Sequence, residues 1–203
     1  ILDAPDIVLN DQEIKNLHGM VKYRNGSVDV DQFGFEQNGG TYDAVASVNT
    51  ETKAITGDIV VQNADINAIT ALLNQKNDLV QGRLDCSATL AGTVDNPQVS
   101  VYGSMSKGTV GGYDVHDVDL DLQLADQVVT VKEIAGKQGS KGLFTLTGTV
   151  GIAAEQPIQG KLSASDLEMG MFAKAVGIQA DVIGTADIEA TFGGVLTNPS
   201  ADV

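Results

Sequence analysis

The sequence predicts an all-β protein, extended and built from repeats of about 100 residues with one short helix in each. Three observations carry this. First, the chain repeats itself: Gly82–Val101 (GRLDCSATLAGTVDNPQVSV) aligns without a gap to Gly184–Val203 (GTADIEATFGGVLTNPSADV) at an offset of 102, with eight of 20 positions identical. Gly82/Gly184, Asp85/Asp187, Gly92/Gly194 and Asn96-Pro97/Asn198-Pro199 are among them. Second, apolar residues recur with period two, the mark of strands with one apolar and one wet face. Third, turn dipeptides fall at regular intervals: Asn25-Gly26, Asn38-Gly39, Gly111-Gly112, Asn96-Pro97 and Asn198-Pro199. Together they predict about thirteen strands.

Element by element, the alternation also selects the residues of one face. Tyr42, Ala44, Ala46 and Val48 alternate within Gly40–Val48, a segment that matches Gly142–Val150, where Phe144, Leu146, Gly148 and Val150 alternate. Ile55–Val61 matches Ile158–Ala164 and adds Ile59 and Leu162 to that face. Asp65–Asn74 breaks the pattern: Ile66, Ile69, Leu72 and Leu73 have helical spacing, and Asp65 is placed to cap the start. Its counterpart after Asp166 sets Met169, Phe172 and Val176 on one side, with Gly170 and Gly177 weakening the helix. Leu84, Cys86, Ala88 and Leu90 then alternate with Asp85, Ser87 and Thr89, as Ala186, Ile188, Ala190 and Phe192 do in the second copy. In His116–Leu124, Val118, Leu120, Leu122 and Leu124 face one way and Asp117, Asp119, Asp121 and Gln123 the other.

The repeat divides the chain into residues 1–81, the later part of one unit; 82–183, a complete unit; and 184–203, the start of a third. One continuous β-body is expected, cut from within a longer repeat array. Cys86 stands where the next copy has Ile188, which reads as a small buried hydrophobe; a single Cys forms no internal disulfide. The net charge of −15, with 12 Lys and Arg, disfavours nucleic acid and an electrostatic grip on an anionic membrane. No run of 18 apolar residues occurs.

The apolar face has two readings. It is the closed core of a sandwich or filled solenoid, or it lines an open trough for hydrocarbon. Side-chain size bears on the choice. Ala44, Ala46, Gly57, Cys86, Ala88, Gly148, Gly160 and Ala164 are small, no Trp occurs and aromatics are 4% of the chain. Small inward residues leave space, or draw two walls together.

Catalytic and metal motifs are weak. His18 and His116 lie in no zinc-like spacing. Asp117, Asp119 and Asp121 lack the Gly-turn and distal Glu of a calcium loop and read as one wet strand face. Asn25-Gly26-Ser27 matches a glycosylation sequon but reads better as a hairpin turn. No G-x-S-x-G, P-loop or dinucleotide fingerprint occurs, so no catalytic residue, metal or cofactor is assigned.

The Gly82–Val101 pattern, G-x-L-x-x-x-A-x-L-x-G-T-x-x-N-P-x-V, strongly resembles the repeat of the TamB proteins and their AsmA-like relatives. So does the order that follows: a Gly turn, a DVDLDLQL strand, a VVTVKEI strand, a GLFTLTGTV strand and a short helix. The resemblance covers essentially the whole chain. It implies an elongated curled sheet, the U-shaped β-taco with an apolar interior, belonging to a protein anchored in the inner membrane of a diderm bacterium and crossing the periplasm. It implies transfer of phospholipid between inner and outer membrane, support of outer-membrane biogenesis and an Omp85-class barrel (TamA-like) as a partner of segments outside this one. The expected lining is the apolar set named above. The alternative is a structural or protein-interaction β-solenoid, or a chaperone-like scaffold whose edge captures client strands. An enzyme would need convergent polar groups on the inner face, which the alternation lacks.

Overall fold

A computed structural model describes residues 1–72, 79–152, 157–175, 182–195 and 198–202. It is built from β1 (Leu2–Leu9), β2 (Gln12–Arg24), β3 (Ser27–Gln37), β4 (Gly40–Asn49), β5 (Ile55–Asp65), α1 (Ile66–Leu72), β6 (Val80–Gly92) and β7 (Pro97–Val110). β8 (Tyr113–Ala125), β9 (Val128–Gln138), β10 (Gly142–Gly151), β11 (Ile158–Glu168), α2 (Met169–Ala175), β12 (Thr185–Val195) and β13 (Asn198–Asp202) follow. The strands are hydrogen-bonded in chain order in one open sheet, and the registered pairs are antiparallel. The chain divides into two compact units. The first holds β1–β5, α1, most of β6 and the first half of β7; the second holds the start of β6, the rest of β7, β8–β13 and α2.

Short turns join the strands. Asn25-Gly26 (φ 50° and 76°) and Asn38-Gly39 (φ 48° and 78°) have both central residues at positive φ, as a type I′ hairpin turn requires. The Asn25-Gly26-Ser27 triplet is therefore a turn, with the Ser27 hydroxyl bonded to Ser47 Oγ at 2.9 Å and to Asp29 Oδ1 at 3.1 Å.

The alternation is interrupted at four matched places. Asn16 (φ 52°) in β2 and Asp117 (φ 49°) in β8 stand 101 positions apart. Asn63 (φ 52°) in β5 and Asp166 (φ 49°) in β11 stand 103 apart. Each lies where the register to a neighbouring strand shifts, so each is a β-bulge. Asn and Asp adopt the left-handed region more readily than other side chains. A bulge withdraws an amide from the ladder, and that amide needs another acceptor. The Asn63 N–H donates to Asp85 Oδ1 (2.6 Å), and the Asp166 N–H donates to Asp187 Oδ1 (3.0 Å). The Asp85/Asp187 identity in the duplicated segment thus has a physical cause: each carboxylate caps the bulge on the strand before it.

Each unit has a tight core where its helix meets the sheet. In the first, Ala68 of α1, Ala64, Ile14, Gly40 and Gln37 are buried. In the second, Leu167, Val115, Met171, Ala173, Gly142 and Gln138 are buried. Leu167, Gln37 and Val115 are the largest fully enclosed side chains. Asp65 caps α1 as expected, accepting the Asn67 N–H at 2.9 Å. Other details of the helices differ from expectation. Among the described side chains of α1, Ala68 is buried while Ile66 and Ile69 are half-buried; in α2 Met171 and Ala173 are buried and Met169 is half-buried, and the side chains of Leu72 and Phe172 lie outside the described ones. Each helix has seven residues and follows directly on a strand that carries a bulge. Leu73, Asn74, Val176 and Gly177 lie outside the described residues. Gly170 has a packing role rather than a merely weakening one, because a Cβ there would collide with the Tyr113 hydroxyl. Among the described residues no helix is long and apolar enough to cross a membrane.

Candidate functional site: the apolar face of each unit

Register gathers the predicted lining into rows that run across the strands. In the second unit, Phe144 lies opposite Gly136 and Ala164, and Ala164 opposite Ile188. The next row is Leu120, Ile134, Leu146, Leu162 and Ala190; the next is Leu122, Val131, Gly148, Gly160 and Phe192. The last is Leu124, Val129, Val150 and Ile158. Alternate residues on a strand are about 6.7 Å apart, so four rows cover about 20 Å of strand. In the first unit, Val48 faces Val28 and Ile55, Ala46 faces Val30 and Gly57, and Gly57 faces Leu90. Ala44 faces Phe33 and Ile59, Ile59 faces Ala88, Tyr42 faces Phe35 and Val61, Val61 faces Cys86, and Ala64 faces Leu84.

Packing along these rows is specific. A Cβ on Gly136 would lie 2.7 Å from Phe144 Cζ and 2.8 Å from Val118 Cγ2, so the Phe144 ring covers Gly136 and brings Val118 into its row. The Phe192 ring covers Gly160 in the same way, with Cδ2 2.7 Å from that position. Phe35 stacks on Tyr42 with centroids 4.5 Å apart and touches Phe33 edge-on at 6.0 Å. Gly57 and Gly148 have another reason. A Cβ on Gly57 would be 2.7 Å from Val45 O, and one on Gly148 would strike Gln159 O and lie 2.8 Å from Gly160 Cα. Neighbouring backbone lies too close there to leave room for any side chain.

The face is apolar yet incompletely covered. Val118 (7% exposed) and Ile188 (4%) are buried, and Ile59 is 39% exposed. The other predicted lining residues, Tyr42, Val48, Leu84, Cys86, Ala88, Leu90, Leu120, Leu122, Leu124, Phe144, Leu146, Val150, Leu162 and Phe192, are half-buried. In a filled sandwich the inner residues of flanked strands are enclosed. Here Leu120, Leu122, Leu146 and Leu162 sit on strands with neighbours on both sides and still meet solvent.

Val28, Val30, Phe33 and Phe35 of β3 and Val129, Val131 and Ile134 of β9 belong to the same rows and were missed by sequence reasoning. Their signal was present: both strands alternate, but each carries an irregularity, at Gln32 (φ 53°) in β3 and opposite Leu146/Gly148 in β9.

Electrostatics separate the two faces. On the apolar side, burial and the nearby Asp85 push the Cys86 thiol up, keeping it protonated, and burial foremost pushes the Tyr42 phenol up. The Tyr42 hydroxyl has no hydrogen-bond partner among the described residues. The opposite side carries ion pairs: Lys22–Asp31 (2.7 Å), Lys161–Glu189 (2.6 Å) and Lys132–Asp121 (3.6 Å). A shallow depression of about 300 Å³ there is lined by Arg24, Asp29, Ser47, Thr56 and Asp58, among others. Hydrogen bonds from Ser47 and then Ser27 hold the Asp29 carboxyl below its usual value.

Of the Asp117, Asp119 and Asp121 set, Asp117 stands on the bulge beside His116 and Lys137, and Asp121 pairs with Lys132. Among the described residues no His, Cys, Asp and Glu are grouped to hold a metal ion. The Gln37 and Gln138 side chains, also unforeseen, are buried 101 positions apart, one residue before matched hairpin turns. Gln138 Oε1 accepts the Glu168 N–H at 2.7 Å, and Gln37 Nε2 reaches Gln12 Oε1 at 3.3 Å and Ala68 O at 3.5 Å.

No protein-family model, curated protein or solved structure matches this chain.

Proposed function

We propose that the chain is a stretch of wall in a lipid-conducting groove, with acyl chains lying against the apolar rows and headgroups remaining in water. One observation carries this reading: the rows of β8–β11 are continuous, apolar and only partly covered although their strands are flanked on both sides. A continuous apolar face left partly open to water is the kind of surface that binds a partner or an apolar ligand. Burial of each CH₂ is worth about 0.8 kcal/mol, so an acyl chain against these rows gains several kcal/mol without any polar contact. The matched bulges and the matched buried glutamines support near-equivalent units. Such units offer near-equivalent sites between which a chain can slide, and no covalent step is needed.

The resemblance to TamB and AsmA-like proteins supplies the setting of this proposal. It is a periplasmic segment of an inner-membrane-anchored protein, part of a curled trough that carries phospholipid toward the outer membrane, with an Omp85-class barrel bound elsewhere in the parent.

Site-specific photo-crosslinking tests the reading. A photoreactive side chain at Leu120 or Leu146 faces the rows; one at Leu143, 50% exposed on the opposite side, serves as control. Expressed in a diderm host, the Leu120 and Leu146 probes should yield phospholipid adducts by mass spectrometry and the Leu143 probe none. Folded protein whose Leu120 and Leu146 probes capture only polypeptide, or nothing, would overturn the conduit in favour of a protein-binding scaffold or a covered core.

A further inference from the structure

The β9–β10 turn of the second unit is held by a histidine with acceptors on both sides. His116 Nε2 lies 2.8 Å from Gly139 O, and His116 Nδ1 lies 3.1 Å from Asp117 Oδ2. A neutral imidazole has one N–H, which goes to the Asp117 carboxylate as the charged and stronger acceptor and leaves Nε2 a lone pair facing Gly139 O; the imidazolium satisfies both acceptors. The bulge at Asp117 creates the arrangement by turning that carboxylate toward its neighbour's ring, and Lys137 Nζ fixes it at 3.0 Å.

The first unit holds the matching carbonyl by a different group. Asn38 O, 101 positions before Gly139, accepts from Arg83 Nη2 at 2.9 Å, while Arg83 Nη1 donates to the bulge carbonyl Asn63 O at 2.6 Å. A guanidinium is charged at every physiological pH. In the second unit the position 102 after Arg83 is Thr185, which carries no cation, and the clasp comes from β8 instead.

We propose that His116 is a pH-operated clasp on the β9–β10 turn, closed as the imidazolium and open when neutral, in place of the permanent Arg83 clasp of the first unit. The turn matters because Gln138, at its start, accepts the Glu168 N–H where β11 gives way to α2. Release of the turn loosens the helix end of the second unit and leaves that of the first unchanged. The Gly139 carbonyl and then Asp117 raise the His116 pKa, opposed by desolvation and then by the charge of Lys137. The clasp is therefore complete at acid pH and lost as pH rises through the raised value. Among the described residues, the other charges on the neighbouring elements include Asp114 two residues before His116 on β8, Lys141 in the turn, Glu168, whose Oε1 lies 3.8 Å from where a Gly139 Cβ would be, and Lys107, the one charged side chain of β7.

Amide hydrogen exchange on the whole chain, corrected for base catalysis, tests this with an internal control. From about pH 5 to about pH 8, protection at residues 139–142 should fall about threefold, as expected for an exposed charged contact, while residues 38–40 stay constant. His116→Arg should remove the pH dependence and His116→Gln should give low protection throughout. Constant protection at 139–142 in the unmodified chain, or an equal fall in His116→Arg, would overturn the clasp. Imidazole ¹⁵N shifts of the unmodified chain give a reading independent of any variant. Both ring nitrogens should be protonated wherever the turn is protected, and a neutral ring beside a protected turn sinks the idea.

Discussion

Truncating Leu167 should cost far more than truncating a leucine of the open rows. Leu167 is 1% exposed, at the junction of β11 and α2 and opposite Ala186. Leu→Ala at a fully enclosed site loses transfer energy and leaves a cavity, in total about 3 kcal/mol. Leu162 stands on the same strand in a half-buried row, where water fills the space left behind; only the covered share of its area is lost, about 1–1.5 kcal/mol. Leu143, half-exposed on the opposite face, should cost about 0.5 kcal/mol. For a chain of this size about 3 kcal/mol lowers Tm by about 9 °C. Urea unfolding gives the three differences directly, provided the slope is unchanged between variants. The expected order is Leu167→Ala, then Leu162→Ala, then Leu143→Ala. Equal costs at Leu167 and Leu162 would refute the reasoning, because they would mean that the apolar face is as enclosed as the helix-end core.

Further outcomes follow from single contacts. Gly136→Ala places a methyl against Phe144 and Val118 and should destabilise by about 1–3 kcal/mol through overpacking; adding Phe144→Leu should recover part of that loss, and a strictly additive double mutant would deny the contact. Asp166→Gly should be tolerated better than Asp166→Ala in thermal unfolding, because φ is 49° there; the reverse order would argue against the bulge. Acid sensitivity should depend on Asp29, whose pKa is lowered by Ser47 and Ser27. Its contribution is complete above the unfolded value and disappears as pH falls through the lower folded value, so Ser47→Ala should flatten the fall in Tm below about pH 4. An unchanged acid profile in that variant would remove Asp29 from the account.

Much of the sheet was legible because a strand's facing depends on local parity. Leu84 to Leu90, Phe144 to Val150 and Leu120 to Leu124 could be placed on one face without knowing their partners. The duplication also flagged Asp85 and Asp187, although their task became visible only with the bulges they cap. What stayed hidden depends on pairing. Whether Asn16, Asn63, Asp117 or Asp166 breaks a ladder is decided by the neighbouring strand, and nothing within four or five residues of each encodes it. In β3 and β9 an irregularity shifts the alternation midway, so local parity does not carry their lining from one end to the other. The helix spacing picks out Ile66 and Ile69, which are half-buried, and does not single out Ala68, which is buried.

Strand order equal to chain order has a consequence for growth. Each registered strand finds its partners in the segments just before and after it, so the sequence distance between paired residues does not rise as the sheet lengthens. A nascent chain can lay down one hairpin at a time on the edge already formed, without waiting for a distant segment. A strand added in the same order meets the same kind of open edge that each strand before it met.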